Sequence, residues 1–167
     1  MAKIIKAPVA KVIQIPKVII GLDLSLTATG WSKYIHETQT LTSGTISDSK
    51  LKGMERLDNI AKTIAQLVPE DAEVFIENYG FGSKGRVVIQ GELGGIIRYA
   101  LWQKGIKYWE IPPTRVKKFL LGKGVGEKSL ILKELLKKHE VDVDDDNQAD
   151  AIILGLIGRT AYSMREG

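Results

Sequence analysis

The fold is decided near the start of the chain by residues 17–37, KVIIGLDLSLTATGWSKYIHE. The first part of this stretch, 17–25, is β-branched and apolar before it turns polar, which predicts a buried strand. Residues 29–37 alternate between apolar and polar side chains and predict a second strand, and 39–47 predict a third. Because only tight polar turns separate these strands, we expect an antiparallel meander at the start of the fold.

The rest of the chain predicts helices and two further strands. After the meander we expect a helix at 54–68, a strand at 72–78, a glycine-rich loop at 79–85, a helix at about 87–104, a strand at 106–111, and helices at 112–122, 128–140 and 147–163. Pro69 ends the first helix, and a proline pair begins the one at 112–122. The sequence therefore predicts an α/β domain with a mixed five-stranded sheet flanked by helices, in which three antiparallel strands precede two parallel ones.

Length and composition indicate one domain with a proper core. The chain has 167 residues, of which 44% are hydrophobic and 26% are charged. We expect the domain to span 17–167, behind a basic N-terminal arm at 1–16. The chain has no cysteine, which excludes disulfides and cysteine-ligated metal centres. Its apolar runs are short for a membrane span, and the N-terminus lacks a secretory signal, so we expect a cytoplasmic protein without a membrane partner.

Positive charge is concentrated in two segments. Residues 1–17 hold four lysines and no acid, and residues 84–128 hold ten basic residues against three glutamates. A basic arm, and a basic middle segment within a body that is formally neutral as a whole, favour a polyanion as partner. Charge alone is equally compatible with ordinary solvated lysines.

Three acidic residues occur where apolar side chains are expected. Asp23 follows VIIGL inside a strand, Glu77 ends the strand VFI, and Asp150 lies about one turn inside an apolar helix. Each one alone could be a satisfied buried polar residue, but a charge there is costly unless a cation meets it. If the first and fourth strands are adjacent and parallel, Asp23 and Glu77 lie side by side, and the last helix could deliver Asp150. Oxygen ligands without His or Cys favour Mg²⁺ or Mn²⁺, and pairs of such ions hydrolyse phosphodiesters.

Five stretches in order give the chain a recognisable pattern. They are GLDLSLTATGW (21–31), VFIENYGF (74–81), VIQGELGGIIRYALWQKG (88–105), PPTRVKKFLLGKGVGEKSLI (112–131) and QADAIILG (148–155). Over roughly 17–160 the chain thereby resembles the RuvC-type Holliday junction resolvases, or crossover junction endodeoxyribonucleases, which have a ribonuclease H-like fold.

The resemblance implies a homodimer that binds four-way DNA junctions and nicks two strands symmetrically, in DNA recombination and repair. It implies two Mg²⁺ per active site, for which Mn²⁺ is expected to substitute, and a bacterial or phage-infected cell. Carried onto this chain, Asp23, Glu77 and Asp150 are metal ligands. Lys117 and Lys128 match family lysines near the scissile phosphate, and we expect Lys117 to be catalytic.

The fourth metal ligand is open, because the chain departs from the family pattern there. The family places an acid three residues before the final aspartate, where this chain has Asn147, and the nearest acid is Asp146. Both positions lie on the helix face of Asp150. Asn147 offers an oxygen without charge, whereas Asp146 supplies charge but competes with helix capping. We expect Asp146 to be the catalytic ligand, with Asn147 as the cap or as a residue supporting the ligands.

A further set of residues is predicted to bind DNA: Tyr79, Phe81, Lys84, Arg86, Arg115, Lys117, Lys118, Lys123 and Lys128. The lysines at 117–128 flank a glycine-rich loop, where backbone N–H groups can approach phosphate closely. Tyr79 and Phe81 follow Glu77 in a loop and could stack on unpaired bases of an opened junction. Alternatively, the two aromatics anchor their own loop, and the lysines are ordinary surface residues.

The long helix at 87–104 predicts the dimer contact. Gly91, Gly94 and Gly95 each cost helix propensity, which is reasonable if another backbone approaches closely. That backbone could belong to a partner subunit or to the same chain's own sheet.

Other functions share parts of this pattern. A nuclease for flaps or branched DNA in general needs the same acids, and a non-catalytic junction-binding module would be favoured only if the acids were missing. Actin-like and sugar-kinase ATPases begin with a motif like DLSLTATG (23–30). They need two such domains to enclose a nucleotide, so we expect no nucleotide cofactor.

Overall fold

The computed structural model describes residues 16–78 and 87–163 and has a five-stranded mixed sheet in the order β3-β2-β1-β4-β5. The strands are β1 (Val18–Asp23), β2 (Thr29–Ile35), β3 (Thr40–Ile46), β4 (Ala72–Glu77) and β5 (Lys107–Ile111). The first three strands pair antiparallel, and β4 pairs parallel with both β1 and β5. The predicted mixed sheet is confirmed.

Five helices accompany this sheet in the described residues. They are α1 (Gly53–Leu67), α2 (Val87–Gln103), α3 (Pro113–Leu121), α4 (Lys128–His139) and α5 (Asp146–Ser163). These bounds agree closely with the predicted helices. The predicted glycine-rich loop lies outside the described residues, as does the predicted basic arm apart from Pro16.

The sheet separates two hydrophobic cores. Alternate residues of β1 and β4, such as Ile20 and Val74, pack with α1 and α2 on one face. The intervening residues, such as Ile19 and Phe75, pack with α3, α4 and α5 on the other. Both strands are apolar almost throughout because helices cover both of their faces.

Helix α5 lies in direct backbone contact with β1 and β2. A Cβ atom added at Gly21 would stand 2.0 Å from the carbonyl oxygen of Ala151, and one at Gly30 would stand 1.9 Å from that of Asn147. Between them the buried Ser32 hydroxyl donates a hydrogen bond of 2.7 Å to the Ala151 carbonyl. Only glycine permits this approach, so the two glycines of the motif at 21–31 determine where α5, and with it Asp150, can lie.

No helix in the described part of the chain is long and apolar enough to cross a membrane.

Candidate active site

Asp23 and Glu77 lie side by side at the carboxyl ends of two parallel strands. The register pairs Leu22 of β1 with Ile76 of β4, so that the next residue on each strand is one of the two acids. Side chains alternate along a strand, which places both carboxylates on the same face as Ile19 and Phe75, the face that α5 covers. The predicted pairing of the first and fourth strands is thus confirmed.

Asp150 is delivered to the same place by α5. It directly precedes Ala151, whose carbonyl rests on Gly21. Its carboxylate interacts electrostatically with those of Asp23 and Glu77. The structure therefore brings together three acids that are far apart in the sequence, and each of them is partly buried. We call these three residues the carboxylate cluster.

Burial and neighbouring negative charge disfavour the ionised form of each acid in the carboxylate cluster. Burial, followed by the charges of Asp23 and Asp150, raises the pKa of Glu77 to about 8. Burial and the Asp150 carboxylate raise the pKa of Asp23 to about 7. Burial and the Asp146 carboxylate raise the pKa of Asp150 to about 6. Partly buried like charges that raise one another's pKa values in this way are stabilised by a bound cation.

Two lysines from different helices partly offset this negative charge. Lys128, at the start of α4, donates a hydrogen bond of 2.5 Å to Oδ2 of Asp146. This hydrogen bond and the charge of Asp146 raise the pKa of Lys128. Lys117 of α3 lowers the pKa values of Glu77 and Asp150 through its charge. Both lysines that resemble those of the family therefore lie near the carboxylate cluster.

The N-terminus of α5 is capped by Asp145, one of the three consecutive aspartates at 144–146 that could cap a helix here. Its Oδ1 accepts the backbone N–H groups of Asn147 at 2.8 Å and Gln148 at 3.1 Å, and its Oδ2 accepts the Thr45 hydroxyl at 2.9 Å. The expectation that Asn147 caps the helix is wrong, because α5 begins one residue earlier, at Asp146. An aspartate just before the first helical residue is the signal that could have identified the cap. The carboxylate of Asp146 is consequently not needed for capping.

The other predicted DNA-binding residues fall into two groups. Arg115 and Lys118 border a groove of about 590 Å³ between α3 and the C-terminal half of α5, away from the carboxylate cluster. Lys123 is exposed in the loop between α3 and α4. The remaining four, Tyr79, Phe81, Lys84 and Arg86, lie outside the described residues.

The donors of the site fit a hard cation. The candidate ligands supply carboxylate or amide oxygens, which Mg²⁺ and Mn²⁺ prefer, and an ammonium group already lies against one of them. As their side chains are placed, however, no three acidic or histidine residues within 16–78 and 87–163 form a group that could hold a metal ion.

Known proteins are similar to this chain in both sequence and fold. The model of the family "Crossover junction endodeoxyribonuclease RuvC" matches residues 19–157. The RuvC endonuclease of Rhizobium leguminosarum bv. trifolii is 30% identical over 164 residues, covering 89% of this chain and 94% of that protein. That of Halothermothrix orenii is 27% identical over 157 residues, covering 88% of this chain and 94% of that protein.

Among solved structures, Thermus thermophilus RuvC in complex with a Holliday junction substrate superimposes with a TM-score of 0.72 at 18% identity. That comparison covers 90% of this chain and 96% of the other. The fowlpox virus Holliday junction resolvase with its DNA gives a TM-score of 0.58 at 16% identity, covering 87% and 98% of the two chains. These similarities show a shared ribonuclease H-like fold.

Fold and sequence together place the protein in the class of metal-dependent nucleases with a ribonuclease H-like fold. Within that class, the chain belongs to the crossover junction endodeoxyribonuclease RuvC family.

Proposed function

We propose that this protein resolves four-way DNA junctions as a homodimer, by paired symmetric nicks made through hydrolysis at two bound Mg²⁺ ions. Asp23, Glu77 and Asp150 would hold the ions, with Asp146 as the fourth ligand. The proposal is carried by the meeting of three partly buried carboxylates with raised pKa values at the ends of β1 and β4. The names of the relatives as crossover junction endonucleases support the choice of substrate.

When bound, divalent ions supply an activated water and neutralise charge on the phosphate. The chain's own part is to hold the carboxylates together, although each one disfavours the ionisation of the others. Metal binding to the carboxylates therefore releases protons and becomes stronger as pH rises through their raised pKa values. We expect Asn147, whose carbonyl lies on Gly30, to support the ligands from beside them.

The lysines near the carboxylate cluster would contact the substrate. Lys117 acts on Glu77 and Asp150, so a phosphate at the ions would meet its ammonium group as well. A fixed cation there stabilises the charge that develops in the transition state. Arg115, Lys118 and Lys123 lie further out and would bind the backbone of the junction arms, which strengthens binding in a salt-dependent manner.

The exposed side of α2 is the proposed dimer contact. Leu93, Ile97 and Leu101 are buried in the chain's own core, but Tyr99 and Trp102 are exposed by 58% and 69%. A Cβ atom at Gly91 or Gly95 would meet nothing within 4 Å among the described atoms. Gly94 is buried within the chain itself, as the intramolecular alternative expects. Packing on the chain's own sheet does not account for Gly91 and Gly95, which favours the approach of a partner's backbone at those two positions.

The two RuvC endonucleases described above, from Rhizobium leguminosarum and Halothermothrix orenii, are bacterial proteins, which supports the cytoplasm of a bacterial or phage-infected cell as the place of action. The N-terminal arm would add its lysines to the contact with DNA.

The test is cleavage of a synthetic four-way junction, compared with a linear duplex and a flap of the same sequence, with and without Mg²⁺. We expect paired nicks only in the junction and only with the metal. Asp23→Asn and Glu77→Gln should abolish cleavage but retain junction binding. Each variant removes the negative charge of a proposed metal ligand and leaves the basic surface intact.

Two results would contradict the proposal in different ways. Equal cleavage of the flap and the junction would favour a nuclease for branched DNA in general. Tight junction binding by the wild-type protein without cleavage in either Mg²⁺ or Mn²⁺ would favour a non-catalytic binding module.

A further inference from the structure

The side chain of Lys128 forms an ion pair with Asp146, beside the carboxylate cluster. Its Nζ is 2.5 Å from Oδ2 of Asp146, although 77% of the lysine side chain is exposed. Its positive charge also acts on Asp23 and Asp150, the two members of the carboxylate cluster on β1 and α5. One ammonium group therefore interacts with three of the four acids proposed to hold metal.

Within 16–78 and 87–163, Asp146 is the one proposed ligand whose carboxylate has a hydrogen bond from another side chain. Asp145 caps α5, so Asp146 is free of that task and can reach either a lysine or an ion. In the described parts of the chain no three acids are arranged to hold a metal ion as they stand. The hydrogen bond to Lys128 engages one oxygen of the Asp146 carboxylate.

We propose that Lys128 is a positioning residue that takes the place of a divalent ion in the metal-free enzyme. Its ammonium group offsets part of the negative charge of Asp146 and the carboxylate cluster. It stays bound to the Asp146 carboxylate until a divalent ion displaces the ammonium group. This inference rests on the function proposed above, because it requires the acidic site to be the metal site. The displaced ammonium group is then available to a phosphate of the bound DNA.

The exchange is feasible because the ion pair is accessible to solvent. An ion pair whose lysine is largely exposed is weak, so it can be broken by an ion that interacts with several carboxylates at once. A weak competitor of this kind lowers the apparent metal affinity by about threefold to fivefold. Removing the ammonium group should therefore strengthen metal binding, whereas loss of a residue that helps to bind metal would weaken it.

The experiment measures Mn²⁺ binding by electron paramagnetic resonance of the free ion, without DNA. Lys128→Ala and Lys128→Gln should each bind Mn²⁺ about threefold more tightly than the wild type. Lys133→Ala removes the same charge from an exposed position on α4 and should leave the affinity unchanged. In an Asp146→Asn background most of the Lys128→Ala gain should disappear, because the hydrogen bond and the larger part of the charge interaction of the lysine involve that carboxylate.

Thermal unfolding in EDTA provides a second measurement on the same variants. Lys128→Ala should lower the midpoint in EDTA but not in saturating Mg²⁺, where the ions supply the charge. If Lys128→Ala binds Mn²⁺ no more tightly than the wild type, the inference is wrong while the proposed metal site stands. If the wild type binds no divalent ion, both the inference and the proposed metal site are wrong.

Discussion

Asp23→Asn should stabilise the metal-free protein at neutral and alkaline pH while it abolishes cleavage. In the folded chain the pKa of Asp23 is raised to about 7, first by burial and then by the Asp150 carboxylate. The folded state therefore binds a proton more tightly than the unfolded state does. Between the unfolded and the folded pKa, the free energy of unfolding falls as pH rises, and the penalty is complete above about pH 7. An amide at this position carries no charge and avoids the penalty.

The size of the effect follows from the shift. A rise from 3.8 to about 7, at about 1.4 kcal/mol for each pKa unit, corresponds to an upper limit of about 4 kcal/mol. Asp23 is partly exposed and its neighbours relax when its charge is removed, so we expect about 2 kcal/mol. For a chain of this length, that is a rise of about 6 °C in the unfolding midpoint.

The assay is thermal unfolding in EDTA across a pH series, with Asp142→Asn as the control. Asp142 is an exposed acid outside the carboxylate cluster, so its replacement should change the midpoint little at any pH. The gain from Asp23→Asn should be largest near pH 8 and should disappear near pH 4. In saturating Mg²⁺ the wild type should have the higher unfolding midpoint of the two, because the ions stabilise only the protein that binds them.

Two outcomes would refute this reasoning. One is an Asp23→Asn protein that is less stable than the wild type in EDTA at pH 8. The other is a stability difference that does not change with pH, since the penalty arises from an ionisation.

Three further predictions concern the lysines, the fourth ligand and the dimer. Lys117→Ala should lower junction cleavage more than junction binding, whereas Lys118→Ala should mainly lower the affinity for the junction and the salt dependence of that affinity. If Lys117→Ala lowers cleavage and binding equally, Lys117 is an ordinary contact to the DNA backbone. In a Mg²⁺ titration of cleavage, Asp146→Asn should need more Mg²⁺ and lose more activity than Asn147→Ala, and the opposite order would make the asparagine the ligand. Gly95→Leu should give a folded monomer in light scattering, since its side chain meets open space among the described residues; a dimer of wild-type affinity would place the contact elsewhere.

The strands, the helices and the three unusual acids could be predicted from the sequence because their signals are local. Hydrophobic periodicity within a dozen residues distinguishes β1 from α1, and an aspartate inside an apolar strand is conspicuous without any structure. The neighbouring positions of Asp23 and Glu77 also followed, because residues that end adjacent parallel strands meet at one edge of the sheet. The motif at 21–31 contains two glycines, but the sequence did not show that carbonyl groups of α5 pack directly against them.

What the sequence by itself determined is therefore the order of elements, the mixed sheet and the acids that end β1 and β4. The tertiary structure alone decided which of the three aspartates at 144–146 caps α5, that Lys128 binds Asp146, and that Gly91 and Gly95 of α2 meet no neighbouring atom among the described residues. It also separated Lys117 from its neighbour Lys118, one near the carboxylate cluster and one at the groove beside α5. For the lysines of α3 and the glycines of α2 the physical reason is the same. A helix repeats every 3.6 residues, so a rotation set by packing against distant segments decides which of two adjacent side chains reaches the site.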